Sequence, residues 1–315
     1  MRKRLIRNFK SILVAGRDVF KSALVDSIIT IITKKEYDCI EYLKMSTETK
    51  NIQHIRFVDK SVFSESYALD IIFSESIETI TQLEMNNKKL GDVYQCENAC
   101  ATSDCYKLKE ILFSLETAEE FDADKHYKVI NTGTIGRYVS RWGKQPMKYL
   151  KDKYEYPVAY KKDFHELFPN SYGRKAEKKK IIIKGLTLLD ASIDCDGIII
   201  PGKSTMMIEC TNYDELLYLA GIVNSKLMIY FVKQKYSSSS YNGGINFSKD
   251  MINSLPWAIS KTGYKEIINL VKKAQSLTPD DNQEELMKID DSINRIVYEI
   301  YGLTSAEIEM IENAN

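Results

Sequence analysis

The chain has 315 residues, 44% hydrophobic and 28% charged, with 44 Lys and Arg set against 44 Asp and Glu. That length and apolar content allow a substantial buried core and suit one large or two ordinary domains. No run reaches the roughly 18 apolar residues of a membrane span, no signal peptide opens the chain, and six cysteines are too few for a disulfide-stapled secreted scaffold. A cytoplasmic chain with reduced thiols and no membrane partner is the resulting expectation.

The opening MRKRLIRNFKSILVAGRDVFKSALVDSIITIITKKE predicts a short basic helix, a strand over Ser11 to Ala15, a loop, and a second strand over 26–33. Val25, Ile28, Ile29, Ile31 and Ile32 form a near-continuous apolar run, which suits a strand covered on both faces of a larger α/β sheet. Residues 51–89 read as a connector with one polar helix near Ile77 to Met85, leading to Leu90, Gly91 and Asp92. Short strands then follow at 129–131, 180–184, 197–200 and 205–209, punctuated by Gly and Asn, as in a mixed β-rich domain. Leu219, Ile222, Val223, Leu227, Tyr230 and Phe231 recur at helical spacing, with Lys226, Lys233 and Lys235 on a wetter side. Two amphipathic helices close the chain, near 264–275 and 283–301, with Asp280 and Asp281 as caps or first-turn acids of the second. The fold class is α+β, with units at 1–50, 51–89, 90–260 and 261–315.

Charge is segregated along the chain. Residues 125–184 hold sixteen Lys and Arg against five Asp and Glu, whereas 280–315 hold two against ten. A basic middle suits a polyanion-facing surface; two ordinary solvated faces are the plain alternative. Within it, VINTGTIGRYVSRWGKQPMKYL from Val129 combines a Gly-rich turn with Asn131, Thr132, Arg137, Arg141 and Lys144. Arg can grip guanine bidentately, Lys neutralises phosphate, and Asn or Thr can bond a base edge or the backbone. The competing assignment puts Tyr138 and Trp142 in the core and the cations at its rim. Lys184, Lys203, Ser204 and Thr205 end or follow short strands near turns. Lys235 and Lys249 flank a Ser/Gly loop that carries Tyr241 and Asn242, so both groups join the DNA-binding candidates.

Other chemistry is weakly supported. Cys96, Cys100 and Cys105 lack paired-cysteine zinc spacing and a nearby histidine. His54, His126 and His165 stand alone. Glu177 and Lys179 have a nuclease-like E-x-K spacing without the preceding Pro-Asp. There is no glycine-rich methyl-donor loop and no Asn-Pro-Pro-aromatic motif, so neither catalysis nor a resident cofactor or metal is expected in this chain.

The pattern LAGIVNSKLMIYFVKQKY, a variable loop, and FSKDMINSLPW resembles the C-terminal specificity region of TaqI-like adenine DNA methyltransferases and related type IIG restriction-modification enzymes. VFKSALVDSIITIITKK from Val19 resembles the last strands of their methyltransferase domain. Leu90 to Asp92 resembles the start of their recognition domain, and DSINRIVYEIYGLTSAEIEMIE their C-terminus. KKKIIIKGLTLLDASIDCDGIII is similar to a further family segment, with Lys184 where arginine or histidine is common. Ala99, Ala101 and Ser103 depart from the glycine and Thr-Gly pair of the family's loop. The resemblance implies a remnant of a methyltransferase sheet, then a target-recognition domain that binds double-stranded DNA beside an upstream catalytic domain. S-adenosylmethionine, and magnesium if a nuclease is present, would belong to the parent; Met1 is either a native start or a boundary within it, and two strands that cannot stand alone favour the boundary. Two alternatives stay open: a free-standing magnesium-dependent nuclease using Glu177 and Lys179, and a protein-interaction module built on the acidic C-terminal helices.

Overall fold

Runs rich in β-branched residues recur through the first sixty positions, and four strands result. The computed structural model describes residues 5–16, 27–63, 69–241, 244–277 and 282–314, excluding the side chains of Ser238, Ser240 and Tyr241. Val19, Val25, Asp26, Asn242, Asp280 and Asp281 therefore lie outside the described residues. The chain divides into two units, Met1–Met85 with Gln234–Ser237, and Asn86–Lys233 with Ser238–Asn315.

In the first unit, β1 (Phe9–Gly16), β2 (Ser27–Ile32), β3 (Cys39–Met45) and β4 (Ile52–Asp59) form a sheet of order β2-β1-β3-β4. β1 runs parallel to β3 and antiparallel to β2. Residues 52–59, read from sequence as connector, are thus a strand, followed by α1 (Ile77–Asn86). Arg56 is drawn in by the carbonyl of Ile72, 2.7 Å from Nη2, and lies over the Tyr42 ring. Ile12, Ile40, Tyr42, Val58, Ile71, Ile72, Ile80 and Leu83 are buried. β2 corrects the sequence expectation. Among the described residues it is an edge strand paired only with β1, so Ile28, Ile29, Ile31 and Ile32 keep 45% to 52% exposure instead of being covered on both faces. Lys235, placed by sequence on a wet helix side, is 1% exposed and ion-paired with Glu84.

The second unit holds two four-stranded sheets. β5 (Cys96–Asn98) precedes α2 (Thr102–Ile111), β6 (Phe113–Leu115), β7 (His126–Ile130) and β8 (Tyr156–Tyr160). The short helices α3 (Lys161–Leu167) and α4 (Ser171–Ala176) lead to β9 (Lys180–Lys184), β10 (Ala191–Asp194), β11 (Ile199–Pro201) and β12 (Thr205–Glu209). The sheet orders are β11-β7-β8-β6 and β10-β9-β12-β5. Tyr127, Val129, Met147, Tyr149, Ala159 and Phe164 form one apolar cluster, and Ile130, Ile135, Ile182 and Ile199 another. Lys180 is fully buried among them, its Nζ 2.5 Å from Asp194 Oδ2 and bonded to the carbonyls of Ala176 and Lys178. A buried cation survives only with such complete pairing.

The predicted long helix is broken into α5 (Tyr213–Val223) and α6 (Lys226–Lys235), bent by 54°. Asn224 makes the break. Its amide accepts from the Ala191 N–H at 2.8 Å and donates to the Ala191 and Ala220 carbonyls, clamping the end of α5 to β10. Leu216 through Val223 are all buried, so α5 is a core helix, whereas on α6 Lys226 and Lys233 are half-exposed and Lys235 is buried. Among the described residues, no single helix is long and apolar enough to cross a membrane.

Two segments of the second unit that are far apart in sequence meet. The Leu90 N–H donates to the Leu255 carbonyl, Lys88 and Lys89 pair with Trp257 and Pro256, and Cys96 N–H donates to Asn253 Oδ1 at 2.7 Å. Asn253 belongs to α7 (Lys249–Asn253), and a Cβ on Gly91 would stand 2.8 Å from its Cβ, so this approach requires glycine. The last helices, α8 (Tyr264–Ser276), α9 (Gln283–Ile300) and α10 (Ser305–Ala314), pack into the same unit. The Tyr264 and Tyr218 rings are 4.8 Å apart, and Asn294 on α9 accepts from the Lys226 N–H at 2.8 Å.

Candidate nucleic-acid interface

Three turns meet at one edge of the second unit. In the first, Asn131 Oδ1 accepts from Gly133 N–H at 3.0 Å while its Nδ2 donates to the Lys148 carbonyl at 2.8 Å. Thr132 Oγ1 then donates to the carbonyl of Ser204 in the second turn, at 2.5 Å. Ser204 takes the left-handed conformation, φ 58°, and Thr205 Oγ1 closes the turn on the Gly202 carbonyl at 2.7 Å. The Ser204 carbonyl also accepts from Gly185 N–H at 3.0 Å. Residue 185 must be glycine, because a Cβ there would lie 2.6 Å from that oxygen. Gly185 in turn accepts from the Phe247 N–H at 2.9 Å, which fixes the third turn and the start of α7.

Lys203 projects from the second turn and Lys249 opens α7, while Arg141 and Lys144 stand in a neighbouring turn tied to the first by the Arg141 N–H, which donates to the Thr134 carbonyl at 2.8 Å; all four are exposed and none is ion-paired with another described residue. A cavity of about 220 Å³ opens beside Lys203, lined by Asn98, Thr102, Lys203, Ser204 and Asn246 together with apolar groups and two thiols. Exposed cations around hydrogen-bonding groups are the arrangement that a phosphate backbone with readable base edges requires. Lys148, not among the sequence candidates, is exposed beside the first turn, its carbonyl accepting from Asn131. Its signal was present in Met147-Lys148-Tyr149, where buried neighbours on both sides point the lysine outward. Asn98 and Asn246 had no comparable signal, since only the fold brings β5 and the 244–246 strand to one cavity.

The other candidates have different positions. Asn131, Thr132 and Thr205 spend their side chains shaping the turns. Arg137 is drawn inward: Nη1 is 2.7 Å from Asp290 Oδ2, and Nη2 donates to the Asn224 carbonyl. Tyr138, buried and left-handed at φ 66°, donates to the other Asp290 oxygen at 2.7 Å. Burial raises the Asp290 carboxyl above its ordinary range, against the pull of Arg137. Lys184 is 14% exposed and ion-paired with Asp190. Lys235 lies buried in the first unit, and the Tyr241 side chain is outside the described residues. Glu177 is contacted by His165 Nε2 at 3.1 Å and by the Tyr127 hydroxyl at 3.3 Å. Among the described residues, no three His, Cys, Asp or Glu side chains gather as a metal group.

No family model and no curated protein sequence matches this chain. Solved structures do. The type IIG restriction endonuclease BpuSI aligns over 96% of this chain and 45% of its own, at TM-score 0.41 and 10% identity. The type IIL restriction-modification enzyme MmeI, solved in complex with DNA, aligns over 95% and 43%, at TM-score 0.48 and 11% identity. The chain spans less than half the length of either. Likeness at that level transfers no residue role and no activity.

Proposed function

We propose that the second unit recognises double-stranded DNA sequence-specifically, as the specificity part of an adenine-specific DNA methyltransferase or type IIG restriction-modification enzyme. The observation that supports this most is the junction of three hydrogen-bonded turns, which presents Lys203 at a cavity lined also by Asn98, Thr102, Ser204 and Asn246, with Arg141, Lys144 and Lys249 exposed on the segments joined to it. The cations neutralise phosphates and give salt-sensitive affinity, while the short polar side chains between them address base edges. The resemblance-bearing segments Leu90–Asp92 and Phe247–Trp257 support the reading as well, because they clasp the start of the unit to the end of its turn-bearing part. In the first unit, the half-exposed isoleucines of β2 suit a sheet that another layer covers; we assign that layer to an upstream catalytic domain. By the same resemblance, that domain would hold S-adenosylmethionine and the extrahelical adenine, and magnesium would serve a nuclease of the parent protein.

The test is selection of this chain on a randomised duplex library, followed by sequencing and by anisotropy titrations across a salt series. Enrichment of one short motif, bound with steep salt dependence, is expected. Salt-dependent binding without enrichment would refute the specificity part of the proposal.

A further inference from the structure

Two of the three clustered cysteines, Cys100 and Cys105, form a dithiol. Cys100 stands in the turn before α2 and Cys105 within its first turns, and their sulfur atoms are 3.5 Å apart. A disulfide needs about 2.0 Å, so a shift of about 1.5 Å closes it. The 220 Å³ cavity is lined by both residues, which gives a small oxidant a route to Cys105 although only 2% of that residue is exposed. The hydrogen bond from Cys100 holds the Cys105 thiol down to about 7, with Lys203 acting in the same direction. Cys100 is correspondingly raised by that bond and by burial. Cys105 is therefore the more readily ionised of the two, with the Cys100 thiol 3.5 Å beside it. Cys96, nearby on β5, is pushed up by burial and stays protonated.

We propose that Cys100 and Cys105 are a peroxide-sensitive modification site that closes to a reversible disulfide. The Cys105 thiolate sulfur attacks one oxygen of hydrogen peroxide, the O–O bond breaks, and hydroxide leaves to be protonated by solvent. Cys105 is then a sulfenic acid. The Cys100 sulfur attacks it, its proton goes to the departing oxygen, and water leaves as the S–S bond forms. The two sulfurs together lose two electrons and the peroxide gains them; a dithiol reductant reverses the change. The Ala99 N–H donates to the Thr205 carbonyl at 3.1 Å, so movement at Cys100 acts directly on the turn that carries Lys203. An effect on DNA affinity rests on the function proposed above; the disulfide does not.

The experiment treats the full chain with hydrogen peroxide, alkylates the remaining thiols, and maps tryptic peptides by mass. The expected peptide, residues 90–107, lacks two hydrogens and carries one alkyl group, on Cys96; dithiothreitol before alkylation restores three. Cys105→Ser abolishes the mass loss and Cys210→Ser keeps it. Three alkylated cysteines after oxidation, a bond that includes Cys96, or irreversible oxygen addition without a link would overturn the proposal. The wild-type map decides even if a variant fails to fold. Anisotropy on reduced and oxidised protein reads the DNA effect separately: failure of reduced protein to bind counts against the DNA reading and leaves the disulfide standing.

Discussion

Arg137→Ala removes a cation that the fold has turned inward. Its guanidinium meets Asp290 at 2.7 Å and the Asn224 carbonyl, with the side chains of Arg137 and Asp290 34% and 18% exposed. Both partners keep some water, so the loss falls short of the 3–5 kcal/mol that breaking a fully buried pair costs and comes to about 1–3 kcal/mol. Tyr138 still donates to Asp290 in the variant, which limits the damage further. Denaturant unfolding followed by tryptophan fluorescence measures this, since Trp142 and Trp257 both lie in the second unit. A pH series sharpens it. Burial raises Asp290, so folded protein holds that proton at pH values where unfolded chain has lost it, and stability falls as pH rises through that window. Without Arg137 the carboxyl is raised more, and the deficit of the variant grows from the ordinary carboxylate value of about 4 towards neutrality. The salt dependence of DNA binding stays unchanged in the folded variant. Unchanged stability with a reduced salt slope would refute the reasoning and make Arg137 a DNA contact.

Two further substitutions test the frame that positions the interface. Asp194→Ala strands the Lys180 ammonium, fully buried and 2.5 Å from its partner, and costs about 3–5 kcal/mol; a shift in unfolding free energy below about 1 kcal/mol would contradict the pairing. Gly91→Ala forces a Cβ to within 2.8 Å of Asn253 and pries apart the clasp between residues 88–92 and 253–257, at about 1–3 kcal/mol. Faster hydrogen exchange at the Cys96 N–H, bonded to Asn253, reads that opening locally, and unchanged protection would count against it.

Where one periodicity governed a segment, the sequence was a good guide. Lys180–Lys184 and Thr205–Glu209 are strands as expected, and the helices at 264–276 and 283–300 follow their apolar stripes. β3 and β4 were missed because CIEYLKM and IQHIRFVD mix charge into both faces of a sheet whose second face is largely open. The break at Asn224 was illegible because it depends on a strand 33 residues away. Charge was the most misleading signal. The basic middle and acidic tail look like separate faces along the chain, yet Asp290 folds back on Arg137, while Asp291 and Glu312 hold Lys226. Lys180, Lys184 and Lys235 likewise spend their charge on acids inside the fold. Turn chemistry was read correctly in kind at Asn131 to Thr134 and Gly202 to Thr205, but its hydrogen bonds to Gly185 and Phe247 exist only in three dimensions.

The most direct measurement is the slope of log affinity against log salt for duplex DNA, compared among wild type, Lys144→Ala, Lys203→Ala and Arg137→Ala, with each variant first shown to be folded. Each phosphate-contacting lysine contributes roughly one to that slope. The turn-borne cations therefore predict a decrease of about one for Lys144→Ala and for Lys203→Ala, and none for Arg137→Ala. Slopes unchanged in both lysine variants, or folded wild-type protein that shows no salt-dependent binding, would contradict a DNA interface at this edge.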